Sequence, residues 1–227
     1  MEKPIFAVVA TPIGNLKDIT LRALETLKEV DVIFCEDTRV TKKLLRHYDI
    51  STKTQSYHTH SGEKGTRAVI QILEEGKSCA LVTDAGTPGI SDPGPSLVTR
   101  IREHFDDRVM ITPIPGADAV STLLSVAGVS TQPYTFFGFL PTKKGRQTLL
   151  ATLIKHPYTA VVYESPHRIL KLLQELRIHG FDENIIIGRE LTKMHEDIMT
   201  GTVSELEQEI TEGQHKQKGE FVVVIPK

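Results

Sequence analysis

The sequence predicts an α/β protein built as two abutting α/β domains. Three observations predict it. Short β-branched apolar runs recur along the chain, helical patterns with apolar spacing of three and four separate them, and the proline-rich Thr112-Pro113-Ile114-Pro115-Gly116 interrupts this rhythm near the middle. About ten strands are too many for one short sheet. The break is therefore placed in that stretch, giving domains of residues 1–114 and 115–227.

The elements follow in order. Ile5 to Ala10 is a continuous apolar run, as expected for a strand covered on both faces. Thr20 caps a helix whose stripe is Leu21, Leu24, Leu27 and Val30. Val32–Cys35 is a strand, and Val40–Tyr48 an amphipathic helix. Val69, Ile70, Ile72 and Leu73 mark a helix closed by Gly76. Cys79–Thr83 is a strand, Leu97–Phe105 a helix and Val109–Ile111 a strand. In the second half, Ala119–Ala127 reads as a helix, Tyr134–Phe139 as a strand and Thr148–Ile154 as a helix. Thr159–Tyr163 is a strand and Ile169–Arg177 a helix. Ile185–Ile187 and Phe221–Ile225 are strands flanking a helical stretch near Leu206.

Composition narrows the class. With 227 residues, 39% hydrophobic and 25% charged, the chain is neither disordered nor fibrous. A chain of this length buries roughly 70% of its unfolded surface and needs no disulfide or metal. Cys35 and Cys79 each lie in an apolar run, which reads as buried thiols in a reducing compartment. No apolar run approaches the roughly 20 residues of a membrane span, and the first residues do not read as a signal peptide. The expected location is the cytoplasm. A net charge of −2 means that nucleic-acid contact would need a local basic patch.

Ligands of open α/β sheets bind beyond the carboxyl ends of strands, and four loops there are unusual. They are Thr11–Asp18, Asp84–Gly94, Pro115–Asp118 and Tyr163–Arg168. The second has three glycines and two prolines in eleven residues, so its backbone can approach a ligand closely or simply form a long turn. Neither G-x-G-x-x-G nor G-x-x-x-x-G-K-[ST] occurs, which disfavours phosphate cradling. A cationic or zwitterionic nucleoside facing carbonyls and Asp84 fits better. His58 and His60 lack companions at ligand spacing, so no metal is expected. No serine-hydrolase elbow is present. Asp37 either orients a substrate with Arg39 or caps the next helix, and Gly188–Lys193 poses the same choice. Lys143-Lys144-Gly145-Arg146 is the densest basic group, either a solvated loop or part of a phosphate-contacting rim.

Six segments in order carry a resemblance: Ala10–Leu16, Cys35–Arg39, Thr83–Gly94, Pro115–Ala117, Tyr163–Arg168 and Gly188–Lys193. Together they resemble the ribosomal-RNA branch of the tetrapyrrole-methylase-like, S-adenosylmethionine-dependent methyltransferases. The resemblance implies 2′-O-methylation of a cytidine ribose in the decoding region of 16S rRNA. It also implies two α/β domains with S-adenosylmethionine in the cleft, and a homodimer acting on 16S rRNA or the small ribosomal subunit. Carried onto this chain, Asp84, Ala85, Gly86, Thr87, Gly89, Ile90, Pro115, Gly116 and Ala117 would hold the donor's methionine and ribose parts. Tyr163, Glu164 and Glu220 would flank its adenine. Asp37 and Glu190 are the candidate catalytic bases. Asn15, Arg39, Lys143, Lys144, Arg146, Arg168 and Arg189 are the candidate RNA contacts. Members often carry a further C-terminal helical segment, whereas this sequence ends at Lys227 just after its last strand. Two other readings stay open: a methyltransferase of the same class acting on a tetrapyrrole or a modified protein side chain, and a non-catalytic RNA-binding assembly factor.

Overall fold

The computed structural model describes residues 3–58, 61–91 and 94–227. The chain divides into two compact units, Met1–Asp118 and Ala119–Lys227.

In the first unit, β1 (Ile5–Val9), β2 (Val32–Cys35), β3 (Lys53–Ser56), β4 (Cys79–Val82) and β5 (Met110–Ile114) form a parallel sheet in the order β3-β2-β4-β1-β5. Parallel neighbours need crossovers, supplied by α1 (Leu21–Glu29), α2 (Thr38–His47), α3 (Gly62–Glu74) and α4 (Pro95–Phe105). Alternate strand residues feed two cores. Phe6, Phe34, Cys79 and Leu81 pack with Val69 and Leu73 of α3 and Leu97, Ile101 and Phe105 of α4. Ala7, Val9, Ile33, Cys35, Ala80 and Val82 pack with Ala23 and Leu27 of α1 and Leu45 of α2. Burial on both faces is why these strands read as unbroken apolar runs.

This topology forks at two neighbouring strands. From β1 the chain leaves through α1 on one face toward β2, while from β4 it leaves through α4 on the other face toward β5. Such a reversal opens a crevice at the carboxyl ends of the two strands. The loops that begin there are Thr11–Asp18 and Thr83–Gly94.

The second unit contains α5 (Ala119–Val126), β6 (Tyr134–Phe139), α6 (Arg146–Ile154), β7 (Thr159–Glu164), α7 (Ile169–Ile178), β8 (Asn184–Arg189), β9 (Asp197–Thr202), α8 (Val203–Glu212) and β10 (Phe221–Ile225). Its sheet runs β6-β7-β10-β8-β9, with only the β6–β7 pair parallel. One face, with Ala160, Val162, Ile185, Ile187, Val223 and Ile225, packs on α6, α7 and α8 through Leu150, Leu172, Leu173 and Leu206. On the opposite face α5 crosses so closely that a Cβ on Gly188 would come within 2.9 Å of Leu123. Thr202 and Glu205 form a reciprocal cap that starts α8 directly from β9.

Two strands lie outside the expected elements. β3 was not expected, because Lys53-Thr54-Gln55-Ser56 is polar; it is an edge strand held by pairing to β2. β9 was missed because Met199 is its only buried residue. The break is expected after residue 114, and the first compact unit runs to Asp118. β5 continues through Thr112-Pro113-Ile114, since an edge strand tolerates a proline without an N–H. The Pro115–Ala117 turn stays with the first unit, where Thr87 Oγ1 donates to Ala117 O at 3.2 Å.

Candidate functional site

At the β1/β4 fork the loops are joined into one platform. Thr11 N–H donates to Gly86 O at 2.9 Å, and Gly86 N–H donates to Thr11 O at 3.1 Å. The Thr11 hydroxyl, 3% exposed, also donates to Thr83 O at 3.1 Å. Gly86 adopts φ +83 and Gly89 φ +87, left-handed conformations that L side chains resist. The third loop joins through Ala10 N–H to Ile114 O at 3.1 Å and through Gly116, whose Cβ would meet that of Ala10 at 2.8 Å. The loop after β2 joins as well, through Asp37 N–H, which donates to Asp84 Oδ1 at 3.0 Å.

Asp84, Ala85 and Ile90 are exposed on this platform, whereas Gly86 and Pro88 are buried beneath it. An accessible carboxylate beside small and apolar groups suits a cationic ligand with an apolar part. Asn15 Oδ1 accepts from Lys17 N–H and starts a short 3-10 turn in the β1 loop. Asp92 and Pro93 of the expected loop, and His60 of the histidine pair, lie outside the described residues. Among the described residues no cluster of three or more metal-ligating side chains occurs.

Asp37 caps α2 and grips Arg39. Its Oδ1 accepts from Arg39 N–H at 2.8 Å and its Oδ2 from Arg39 Nη2 at 2.7 Å. These bonds hold its carboxyl down at about 2 and raise the guanidinium. Of the two readings left open by the sequence, substrate orientation and capping, Asp37 performs the capping, and it also fixes the Arg39 side chain. A carboxylate so held is a feeble proton acceptor at neutral pH.

Glu190 is held in a similar way. At φ +51 it follows β8, and its Oε1 accepts from Lys193 Nζ at 2.7 Å and from Glu220 N–H at 2.9 Å. Burial pushes its carboxyl up, but those two hydrogen bonds and the charges of Lys193 and Arg189 outweigh it, leaving a net lowering. Glu220 is exposed and binds Lys193 Nζ at 2.9 Å.

Four of the expected site residues are tied up by partners within the protein. Arg146, expected at an RNA-facing rim, is 2% exposed and pairs with Glu175 at 2.7 Å and Glu164 at 3.3 Å. Arg189 is 6% exposed, and its guanidinium is spent on the carbonyls of Lys218, His195 and His215 at 2.7, 3.0 and 2.9 Å. Arg168 binds Glu164 Oε1, the Ser165 hydroxyl and Leu140 O. Glu164, expected beside adenine, is 1% exposed, and its carboxylate holds Ser165 N–H, Arg168 and Arg146. Arg146, Arg189 and Glu164 brace loops from within, and the half-buried Arg168 joins them through Glu164. Glu175, missed entirely, completes this cluster. Its signal was an acidic residue inside the apolar stripe Leu172, Leu173 and Leu176. Lys143 and Lys144 remain exposed and Tyr163 half-buried.

A cavity of about 750 Å³ opens along α3 and α4, lined by Tyr57, His58, Arg67, Gly94, Arg100 and His104 among others. None of residues 84–90 lines it. Its arginines pair with Glu63 and Glu103 at 3.1 and 3.9 Å, so its charge is balanced.

The model of the tetrapyrrole (corrin/porphyrin) methylases matches residues 6–207. The chain is 46% identical over 98% of its length to ribosomal RNA small subunit methyltransferase I of Vibrio cholerae, spanning 77% of that protein. It is 43% identical over 96% of its length to the protein of the same name from Borrelia garinii, spanning 96% of it. Among solved structures, diphthine synthase superposes with a TM-score of 0.73 at 14% identity, over 98% of this chain and 90% of that one. The chain belongs to the tetrapyrrole methylase family, in the branch of the ribosomal RNA small subunit methyltransferase I proteins.

Proposed function

We propose that this chain methylates the ribose 2′-hydroxyl of a cytidine in the decoding region of 16S rRNA. As a family member it is an S-adenosylmethionine-dependent methyltransferase. The observation that carries the RNA part of the reading is the 46% identity to a protein named for small-subunit ribosomal RNA methylation. The platform at the β1/β4 fork supports the donor part. Its residues fit the group: Asp84 offers an accessible anion to a sulfonium and an ammonium, and Gly86, Gly89 and Gly116 keep bulk away.

When bound, the donor supplies a methyl carbon activated by its sulfonium. Asp84, Ala85, Thr87, Ile90, Pro115 and Ala117 would hold it on the first unit. Glu164 would support Ser165 and Arg168 instead of touching the ligand. Positioning of the ribose oxygen carries most of the rate, a contribution that reaches about 7–11 kcal/mol. Asp37 and Glu190, both with lowered pKa, are each suited to accept a hydrogen bond more than to serve as a full base. Asn15, Arg39, Lys143 and Lys144 are the RNA contacts left accessible.

The test is tritium transfer from S-adenosylmethionine to small subunits lacking the modification, followed by mapping of the labelled atom. Label on a cytidine 2′-oxygen supports the reading. Label on a base, or transfer only to a tetrapyrrole or a protein, overturns it, and RNA binding without transfer favours an assembly factor. We further propose a cytoplasmic homodimer, to be checked by light scattering of the purified chain; no described helix is long and apolar enough to cross a membrane.

A further inference from the structure

The sheet of the second unit exposes aromatic rings that its core does not use. β6 is an outer strand, pairing Tyr134 with Thr159, Thr135 with Ala160 and Phe136 with Val161, then skipping to Phe139 with Tyr163. Gly138, at φ +65, makes the skip possible. The bulge brings Phe136 and Phe139, three residues apart, to the side of Tyr163. Phe137 and Leu140 turn instead to the helix-covered core. Tyr163 props both rings edge-on, with centroids 4.8 Å from Phe136 and 5.4 Å from Phe139. Phe139 is 53% exposed and Tyr134 44%.

Just beyond the strand, Lys143 and Lys144 are exposed and make no ion pair among the described residues. Single exposed apolar residues are ordinary, but a braced aromatic cluster beside uncompensated cations is not. Unpaired RNA is bound by this combination, with bases stacking on rings and phosphates meeting lysines.

We infer that the β6 face, centred on Phe139 with Tyr134 and backed by Lys143 and Lys144, is a stacking platform for unpaired RNA of the substrate. This deepens the proposed function and rests on it. The test uses the full chain and a fluorescein-labelled single-stranded RNA of about 16 nucleotides copied from the target region. Phe139→Leu, which keeps bulk but loses the π face, is expected to weaken RNA binding by about five- to 150-fold. Phe139→Trp is expected to bind like the unaltered chain. Lys143→Gln with Lys144→Gln should lower the slope of log K against log salt by about 1.4. Calorimetric affinity for S-adenosylmethionine and the mass by light scattering should not change.

Unaltered RNA binding by Phe139→Leu, in a chain that still methylates small-subunit RNA, overturns the platform and leaves the function standing. An unaltered chain that neither binds nor methylates that RNA overturns both. Loss of donor affinity in Phe139→Leu, or a change in mass, assigns the ring to the donor pocket or to a copy interface and also overturns the platform. Should Phe139→Leu fail to fold, the lysine pair's salt slope decides.

Discussion

Asp84 Oδ1 accepts the backbone N–H of Asp37 at 3.0 Å, so the loop after β4 steadies the N-terminus of α2 with the carboxylate proposed to face the donor. The two roles are separable. Asp84→Asn keeps an oxygen for the Asp37 N–H but loses the charge. It should weaken S-adenosylmethionine binding about tenfold, on the order of 1.4 kcal/mol. Asp84→Arg, which adds bulk and the wrong sign, should abolish it. Calorimetry reads both, and wild-type affinity in Asp84→Arg would remove this loop from the site.

The Asp37–Arg39 pair makes a prediction about pH. The folded carboxyl titrates at about 2, against an ordinary 3.8, so its stabilisation is complete above the ordinary value and is lost as pH falls toward 2. The stability difference between the unaltered chain and Asp37→Asn should be constant near neutrality and shrink below about 4. No acid limb of kcat near neutrality should belong to Asp37. Such a limb, present in the unaltered chain and absent from Asp37→Asn, would restore Asp37 as a general base. Arg39→Ala should weaken RNA methylation and spare donor affinity; equal loss of both would make Arg39 structural.

Gly116 and Ala10 offer a test by exchange. A Cβ at 116 would come within 2.8 Å of the Ala10 Cβ, so Gly116→Ala must push the Pro115–Ala117 turn off β1. The overpacking should cost about 1–3 kcal/mol in urea unfolding and weaken donor binding. Adding Ala10→Gly returns the missing space. The double variant should recover most of both losses, and a purely additive result would show that the contact does not set the turn.

The first unit was legible because its strands are covered on both faces. Ile5–Val9, Val32–Cys35 and Cys79–Val82 are apolar throughout and cannot be read as amphipathic helix. Edge strands gave no such signal: β3 has no buried residue, and Pro113 disguised the end of β5. The loops of the platform were found by their glycines and prolines, whose conformational demands are local. The partners of charged residues are not local. Arg146 meets Glu164 and Glu175 across 18 and 29 residues, and Arg189 meets carbonyls of a segment 26 and 29 residues away. A basic run therefore looked like a rim. Periodicity held one clue, since Arg146 stands four residues before Leu150 and seven before Leu153, on the buried stripe of α6.

That inward-turned arginine can be tested directly. Its Nε binds Glu175 at 2.7 Å and its Nη1 binds Glu164 at 3.3 Å, while Nη2 has no partner among the described residues. Glu164 in turn holds Ser165 N–H and Arg168. Arg146→Met fills similar volume but leaves two carboxylates buried without their shared cation. The expected loss is about 3–5 kcal/mol in urea unfolding. Replacing Glu175 as well, Arg146→Met with Glu175→Leu, should recover much of the stability, because Glu164 keeps Arg168 as its cation and no buried charge is left unpaired. Activity separates a bracing role from a contact. If Arg146 only braces the second unit, Arg146→Met keeps the salt slope of RNA binding, because no phosphate contact has been removed. A slope reduced by about 0.7 would return Arg146 to the RNA interface, against its burial and its two ion pairs.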